Sequence, residues 1–257
     1  MGGASPLAGR RIVVTRPPEQ AEPLCRAIEA RGARVERIPV MLLEPISATP
    51  ESRQLIDSLD GCALAFFVSV NAVRFGLAAV TAQRTWPTAV AVATVGPGSE
   101  RALRAAGFDQ VIAPSAGFDS EAVLALPEFS ADRVAGQRIV IFRGNGGRDL
   151  LGDTLLERGA SVDYLACYRR QVPDTGGERL LALADGIDAI VLTSSEGVDN
   201  LMHMLGDGVD RLRHVPIVSP HPRICARARA AGFVSVIETG AGDAGLVTGM
   251  ENYFQGR

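Results

Sequence analysis

Arg138 to Tyr168 reads RIVIFRGNGGRDLLGDTLLERGASVDYLACY, and Arg11 to Val40 reads RIVVTRPPEQAEPLCRAIEARGARVERIPV. Gly9 corresponds to Gly136, Arg16 to Arg143 and Arg31-Gly32-Ala33 to Arg158-Gly159-Ala160, all at an offset of 127 residues. Further matches sit at an offset of 125: Asp60-Gly61 with Asp185-Gly186, Ser69-Val70-Asn71-Ala72-Val73 with Ser194-Ser195-Glu196-Gly197-Val198, and Ala106-Gly107-Phe108 with Ala231-Gly232-Phe233. Ordered matches at a nearly fixed spacing indicate an internal duplication. A long period with two copies predicts two similar domains rather than a solenoid.

Each copy alternates short apolar runs with helical patterns. Ile12-Val13-Val14 and Ile139-Val140-Ile141-Phe142 read as strands buried on both faces, as do Ala63–Val68 and Ala189–Thr193. Helical spacing follows each of them. Thr49 before Pro50 predicts a capped helix start, and Asp119 another, running through Leu126. The stretch from there to Gly136 reads as turn and connection, Phe108–Pro114 as a short strand and Val234–Ile237 as the last strand. Alternation with short connections predicts an α/β architecture with parallel sheets, whose ligands bind beyond the carboxyl ends of the strands.

Composition narrows the chemistry. Hydrophobic residues at 47% and charged residues at 21% suit a globular protein, and neither a membrane span nor a signal peptide is legible, so a cytoplasmic protein is the expectation. The four cysteines and three histidines are dispersed, which argues against a metal site built from neighbouring ligands, while one assembled only in three dimensions stays open. All 26 basic residues are arginine. Without lysine, Schiff-base chemistry, pyridoxal phosphate anchoring and a phosphate-loop lysine are all ruled out. A net charge of -3 supplies no basic field for nucleic acid.

Four strand-to-helix turns remain as candidate binding elements: Ser69 to Asn71, Thr94 to Gly96, Ser194 to Gly197 and Ser219 to Arg223. Each presents hydroxyls and free backbone N–H groups to an anion, although any one alone is more often a helix cap. As two duplicated pairs they predict a polycarboxylate or phosphate cleft between the domains, with Arg16, Arg143, Arg148 and Arg223 at the same strand ends. Gly144-Asn145-Gly146-Gly147 also follows a strand, but Asp149 stands where a dinucleotide fingerprint requires a third glycine. A flexible turn is the better reading.

These motifs, in this order, resemble uroporphyrinogen-III synthases. The series comprises Val14-Thr15-Arg16-Pro17, Ser69-Val70-Asn71-Ala72-Val73, Thr94-Val95-Gly96-Pro97-Gly98, Arg143-Gly144-Asn145-Gly146-Gly147-Arg148, Tyr168-Arg169-Arg170, Thr193-Ser194-Ser195-Glu196-Gly197-Val198 and Pro222-Arg223-Ile224. It runs nearly end to end. Ser219-Pro220-His221-Pro222 departs from the glycine-threonine turn of other members. The resemblance implies two flavodoxin-like domains joined by a two-stranded ribbon: residues 1–38 with 172–257 in one, residues 42–167 in the other, with crossings near 39–45 and 166–173.

The same resemblance implies the substrate hydroxymethylbilane, a linear tetrapyrrole with eight carboxylates, and a reaction that removes its hydroxyl, inverts the last pyrrole ring and closes the macrocycle with no cofactor. The implied substrate contacts are Arg16, Ser69, Val70, Asn71, Thr94, Val95, Gly96, Arg143, Gly144, Arg148, Ser194, Ser195, Gly197, Ser219 and Arg223. Tyr168 resembles the family's proton-donating tyrosine, phenols being protonated at neutral pH; the alternative is a tyrosine that only packs. The resemblance also implies a monomer and leaves room for contact with the preceding deaminase of the pathway. A competing class is a non-catalytic two-domain sensor that closes on a small anion, which the paired turns suit equally.

Overall fold

The computed structural model describes residues 5–146 and 149–256. The chain divides into two compact units, Met1–Leu43 with Gln171–Arg257, and Glu44–Arg170. In chain order, strand β1 is Arg11–Val14, helix α1 Pro18–Glu29, β2 Arg34–Arg37, β3 Leu42–Pro45, α2 Pro50–Asp57, β4 Leu64–Phe67, α3 Val70–Thr81, β5 Ala91–Thr94, α4 Pro97–Ala105 and β6 Val111–Ile112. There follow α5 Ser120–Leu124, α6 Ala131–Val134, β7 Arg138–Gly144, α7 Leu150–Glu157, β8 Ser161–Gln171 and α8 Gly177–Ala182. The remainder comprises β9 Ala189–Val191, α9 Ser195–Leu205, β10 Ile217–Ser219, α10 Pro222–Ala230, β11 Val236–Glu238 and α11 Gly242–Gln255. No helix among the described residues is long and apolar enough to cross a membrane.

The first unit's sheet has the order β2, β1, β9, β10, β11, and its strand pairs are parallel. The second sheet has the order β3, β8, β7, β4, β5, β6, with β4 to β8 paired in parallel. Matching β7 to β1, β8 to β2, β4 to β9, β5 to β10 and β6 to β11 makes the two five-strand orders coincide. This explains the two sequence offsets. The pair of strands that opens the first unit closes the second, so the second copy is a circular permutation of the first.

Equivalent backbone positions share their geometry. The Gly9 N–H donates to the Gly32 carbonyl at 2.9 Å, and the Gly136 N–H to the Gly159 carbonyl at 2.8 Å. Gly32 and Gly159 adopt φ of 82° and 86°, a left-handed conformation that stops each preceding helix without a Cβ penalty.

Burial on both faces explains the apolar runs. Alternate residues of β1 point to opposite sides: Ile12 and Val14 pack with Leu24, Ile28, Leu246 and Met250, and Val13 with Ile190, Leu201 and Ile217. Each such side chain, fully buried, stabilises the fold by roughly 1.5–3 kcal/mol. In the second unit Phe66, Ile139 and Ile141 meet Phe129, Leu151 and Leu155. On the other face Phe67 and Phe142 stack with centroids 4.5 Å apart. Thr49 caps α2 as expected, in a reciprocal arrangement with Ser52.

Three local readings are corrected. The segment before Gly136, read as connection, contains a 3-10 turn at Pro127–Phe129 and the short α6, held by the buried side chains of Phe129 and Val134. These elements are too short to display a helical period. The strand read at Phe108–Pro114 shrinks to Val111–Ile112, because it lies at the sheet edge and pairs with β5 at only two positions. The last strand begins at Val236 rather than Val234, which is exposed.

Candidate active site

The candidate residues fall into one set in each unit. In the first, Ser194 caps α9, its Oγ accepting from the Gly197 N–H at 2.9 Å. Ser195 follows in the first turn, and its buried Oγ has no hydrogen-bond partner. Ser219, at the end of β10, is fully buried and its Oγ is likewise unpartnered. The α10 N-terminus takes its cap from an imidazole, the Arg223 N–H donating to His221 Nδ1 at 3.1 Å. Arg16 donates to Asp243 Oδ1 at 2.7 Å.

The second unit carries the larger set. Ser69 caps α3, accepting from the Ala72 N–H at 3.1 Å. Val70 and Asn71 form the first turn, with Val70 exposed. Thr94 turns inward: its hydroxyl is fully buried and donates to the Phe67 carbonyl at 2.7 Å. The Gly96 N-cap of α4 has no side-chain cap, so this turn offers backbone rather than a hydroxyl. Val95 and Arg143 line a crevice of about 130 Å³ with Val68, Ser120, Gly146 and Tyr164. Arg143 donates to Asp149 at 2.6 Å, and its guanidinium lies 4.9 Å from the centre of the Tyr164 ring. Arg148 and Gly147 lie outside the described residues.

The two tyrosines of β8 point to different faces because the strand carries a bulge. The register runs from Ile141 with Tyr164 to Arg143 with Ala166, then slips so that Gly144 pairs with Tyr168. Residues four apart in a regular strand share a face. After the slip, Tyr168 instead faces α3: its ring stacks on Phe75 with centroids 5.4 Å apart, and its hydroxyl lies 3.3 Å from Ser69 Oγ. Gly144 provides the space, since a Cβ there would lie 2.9 Å from the phenol ring. Tyr168 is 1% exposed, whereas Tyr164 is 39% exposed. Burial raises the Tyr164 phenol above its ordinary pKa, with the Asp149 charge adding to the shift.

Sequence reasoning missed Phe75, Thr15 and His221. Phe75 seats Tyr168, Thr15 ties β1 to β9 through a 2.7 Å bond from its hydroxyl to the Val191 carbonyl, and His221 caps α10. Thr15 and His221 lay inside the motifs Val14-Thr15-Arg16-Pro17 and Ser219-Pro220-His221-Pro222 but carried no assigned role. For Phe75 the signal was weaker, an aromatic at helical spacing that reads equally as core.

The bulge also buries Cys167, whose thiol lies 3.3 Å from the Arg143 carbonyl and is pushed up to about 12 by burial. Burial raises Cys25, Cys62 and Cys225 too, and all four are free thiols. Since the thiolate is the reactive form, an aromatic disulfide reagent at neutral pH should label the native protein slowly and reach four equivalents only on unfolding. A rapidly labelled thiol in the native protein would contradict this burial.

Residues 22–248 match the family model for uroporphyrinogen-III synthase HemD. The chain is 34% identical to a uroporphyrinogen-III synthase of Escherichia coli over 160 residues, which cover 62% of this chain and 64% of that protein. It is also 34% identical to that of Salmonella typhimurium over 187 residues, covering 71% and 75%. Among solved structures, a mutant uroporphyrinogen III synthase from Thermus thermophilus superposes with a TM-score of 0.64 at 18% identity, covering 97% of this chain and 100% of that one. At that identity the structural likeness supports the fold alone; the match through both duplicated halves shows that the chain belongs to the uroporphyrinogen-III synthase family.

Proposed function

We propose that this protein converts hydroxymethylbilane to uroporphyrinogen III, with loss of water and inversion of ring D. The observation that carries the reading is the family match across residues 22–248, which includes each strand-to-helix turn singled out above. In this reading the substrate's carboxylates are held by backbone N–H groups at the starts of α3, α4, α9 and α10, aided by Arg16, Arg143, Arg148 and Arg223. Tyr168 supplies the proton that lets water leave.

The chemistry asks little more of the protein. Hydroxymethylbilane also closes unaided, without inversion, so fixing its conformation is the main task. Proximity and orientation can supply roughly 7–11 kcal/mol of such a barrier. The reaction is neither an oxidation nor a reduction, so no redox cofactor enters. The substrate's instability favours hand-over in the cytoplasm from the deaminase that releases it.

Product analysis tests the assignment. Incubation with hydroxymethylbilane, oxidation of the macrocycles and chromatographic separation of isomers should show the inverted isomer in large excess over a protein-free control. A non-catalytic anion sensor would leave the spontaneous isomer ratio unchanged.

A further inference from the structure

Tyr168 is placed to give a proton but not to meet a substrate. Its side chain is 1% exposed, closed in by the Phe75 ring and the Gly144 backbone. Its hydroxyl is 3.3 Å from Ser69 Oγ. Ser69 is only half-buried and stands at the strand-to-helix turn between β4 and α3. Of the two hydroxyl-bearing residues, Ser69 is therefore the one open to solvent.

The hydrogen-bond inventory gives Ser69 a direction. A serine hydroxyl has one proton to donate and two lone pairs to accept with. One lone pair takes the Ala72 N–H at 3.1 Å. With the phenol donating, the other takes the Tyr168 proton, and the Ser69 proton is left to point away from both. From this we infer that Ser69 is the catalytic residue that meets the departing hydroxyl of the substrate, and that Tyr168 acts through it as a positioning and proton-supplying residue.

The step balances. As the C–O bond breaks, its electron pair leaves with oxygen, which takes the Ser69 proton and departs as water. Ser69 Oγ takes the Tyr168 proton in the same movement, leaving a phenolate opposite the new methylene cation, whose charge is shared with the pyrrole nitrogen. The last pyrrole ring attacks this cation through the α-carbon that already carries its bridge, which has no proton to lose. The bond from that carbon to the bridge then breaks, its electron pair restoring the pyrrole while the cation passes to the bridge carbon. The bridge carbon bonds to the ring's free α-carbon, which inverts the ring, and that carbon gives up its proton. That proton returns through Ser69 to the phenolate, and both hydroxyls are restored.

This inference rests on the synthase reading, and the test separates the two. The variants are Ser69→Gly, Ser69→Thr, Tyr168→Phe and the double variant Ser69→Gly with Tyr168→Phe, each assayed with hydroxymethylbilane for kcat, KM and isomer ratio. Glycine and asparagine are both accepted at an N-cap, so Ser69→Asn replaces Ser69→Gly should the glycine variant fail to fold. Ser69→Gly and Tyr168→Phe should each lower kcat by about 10²–10⁴-fold, with KM little changed. The double variant should be no slower than the worse single one, as for groups that act as a unit. Ser69→Thr, which keeps the hydroxyl, should retain kcat within about tenfold, a rescue that loss of a cap alone does not predict.

Near-normal kcat and a fully inverted product from Ser69→Gly, alongside a slow Tyr168→Phe, would overturn the relay and return the phenol to direct contact. Multiplying effects in the double variant would overturn it as well. If the unmodified, folded protein yields only the uninverted macrocycle, the synthase reading and the relay fail together.

Discussion

Replacing Tyr168 by phenylalanine is expected to slow formation of the inverted macrocycle by about 10²–10⁴-fold, the usual contribution of an acid-base group, while leaving the fold intact. The ring keeps its stacking on Phe75 and its seat over Gly144, because neither contact uses the hydroxyl. What is lost is one 3.3 Å hydrogen bond to Ser69, a bond of the kind worth about 0.5–1.5 kcal/mol net. Ser69 keeps its bond to the Ala72 N–H, so α3 stays capped. Thermal unfolding should therefore shift by a few degrees at most, as roughly 1 kcal/mol does in domains of this size.

Isomer identity is the sharper measure. When enzymatic closure slows, spontaneous closure takes the remaining substrate, and the uninverted macrocycle accumulates in proportion. Rate and isomer ratio should move together. An unchanged rate with a fully inverted product would remove Tyr168 from the chemistry and leave it a packing residue.

The difference between what was legible in the sequence and what was not lies in the range of the interactions. Ile12-Val13-Val14 and Leu64 to Phe67 declare buried parallel strands because burial on both faces demands an unbroken apolar run, which a one-dimensional reading detects. Gly32 and Gly159 declare helix ends for an equally local reason, their positive φ. The bulge at Arg143 and Gly144 has no such signature. It arises from pairing between strands, and it alone turns Tyr168 away from the face of Tyr164 toward Phe75 and Ser69. Thr94 teaches the same lesson: its hydroxyl, at a turn that read as a ligand contact, is taken by the Phe67 carbonyl of the neighbouring strand. Hydroxyl-bearing turns were visible. Which hydroxyls remain available depends on neighbours contributed by distant sequence.

A fragment ending at Val134, near the midpoint of the duplication, is expected not to fold, whereas residues 42–171 should fold alone. The first fragment removes a central neighbour from both sheets. β1 loses β9, with which Ile12, Val13 and Val14 are in register, and β4 loses β7, the partner of Phe66 and Phe67. Ile12, Val14, Leu24 and Ile28 would also lose Leu246, Val247 and Met250, which pack with them in one cluster, and Val13 would lose Ile190 and Leu201. At roughly 1.5–3 kcal/mol per buried aliphatic side chain, loss of burial at these five positions is of the same order as the 5–15 kcal/mol by which a whole domain is typically stable. Residues 42–171 keep every strand of the six-stranded sheet and the cluster of Phe66, Phe129, Ile139, Ile141, Leu151 and Leu155. We therefore propose that this unit is an independent folding domain and that the unit containing β1 is completed only by the carboxyl-terminal third of the chain. Circular dichroism during heating should show one cooperative transition for residues 42–171 and a shallow, featureless slope for residues 1–134. A cooperative transition in the amino-terminal fragment, with protected amides along Ile12 to Val14, would mean that β1 finds another partner and that the discontinuous domain is not the folding unit.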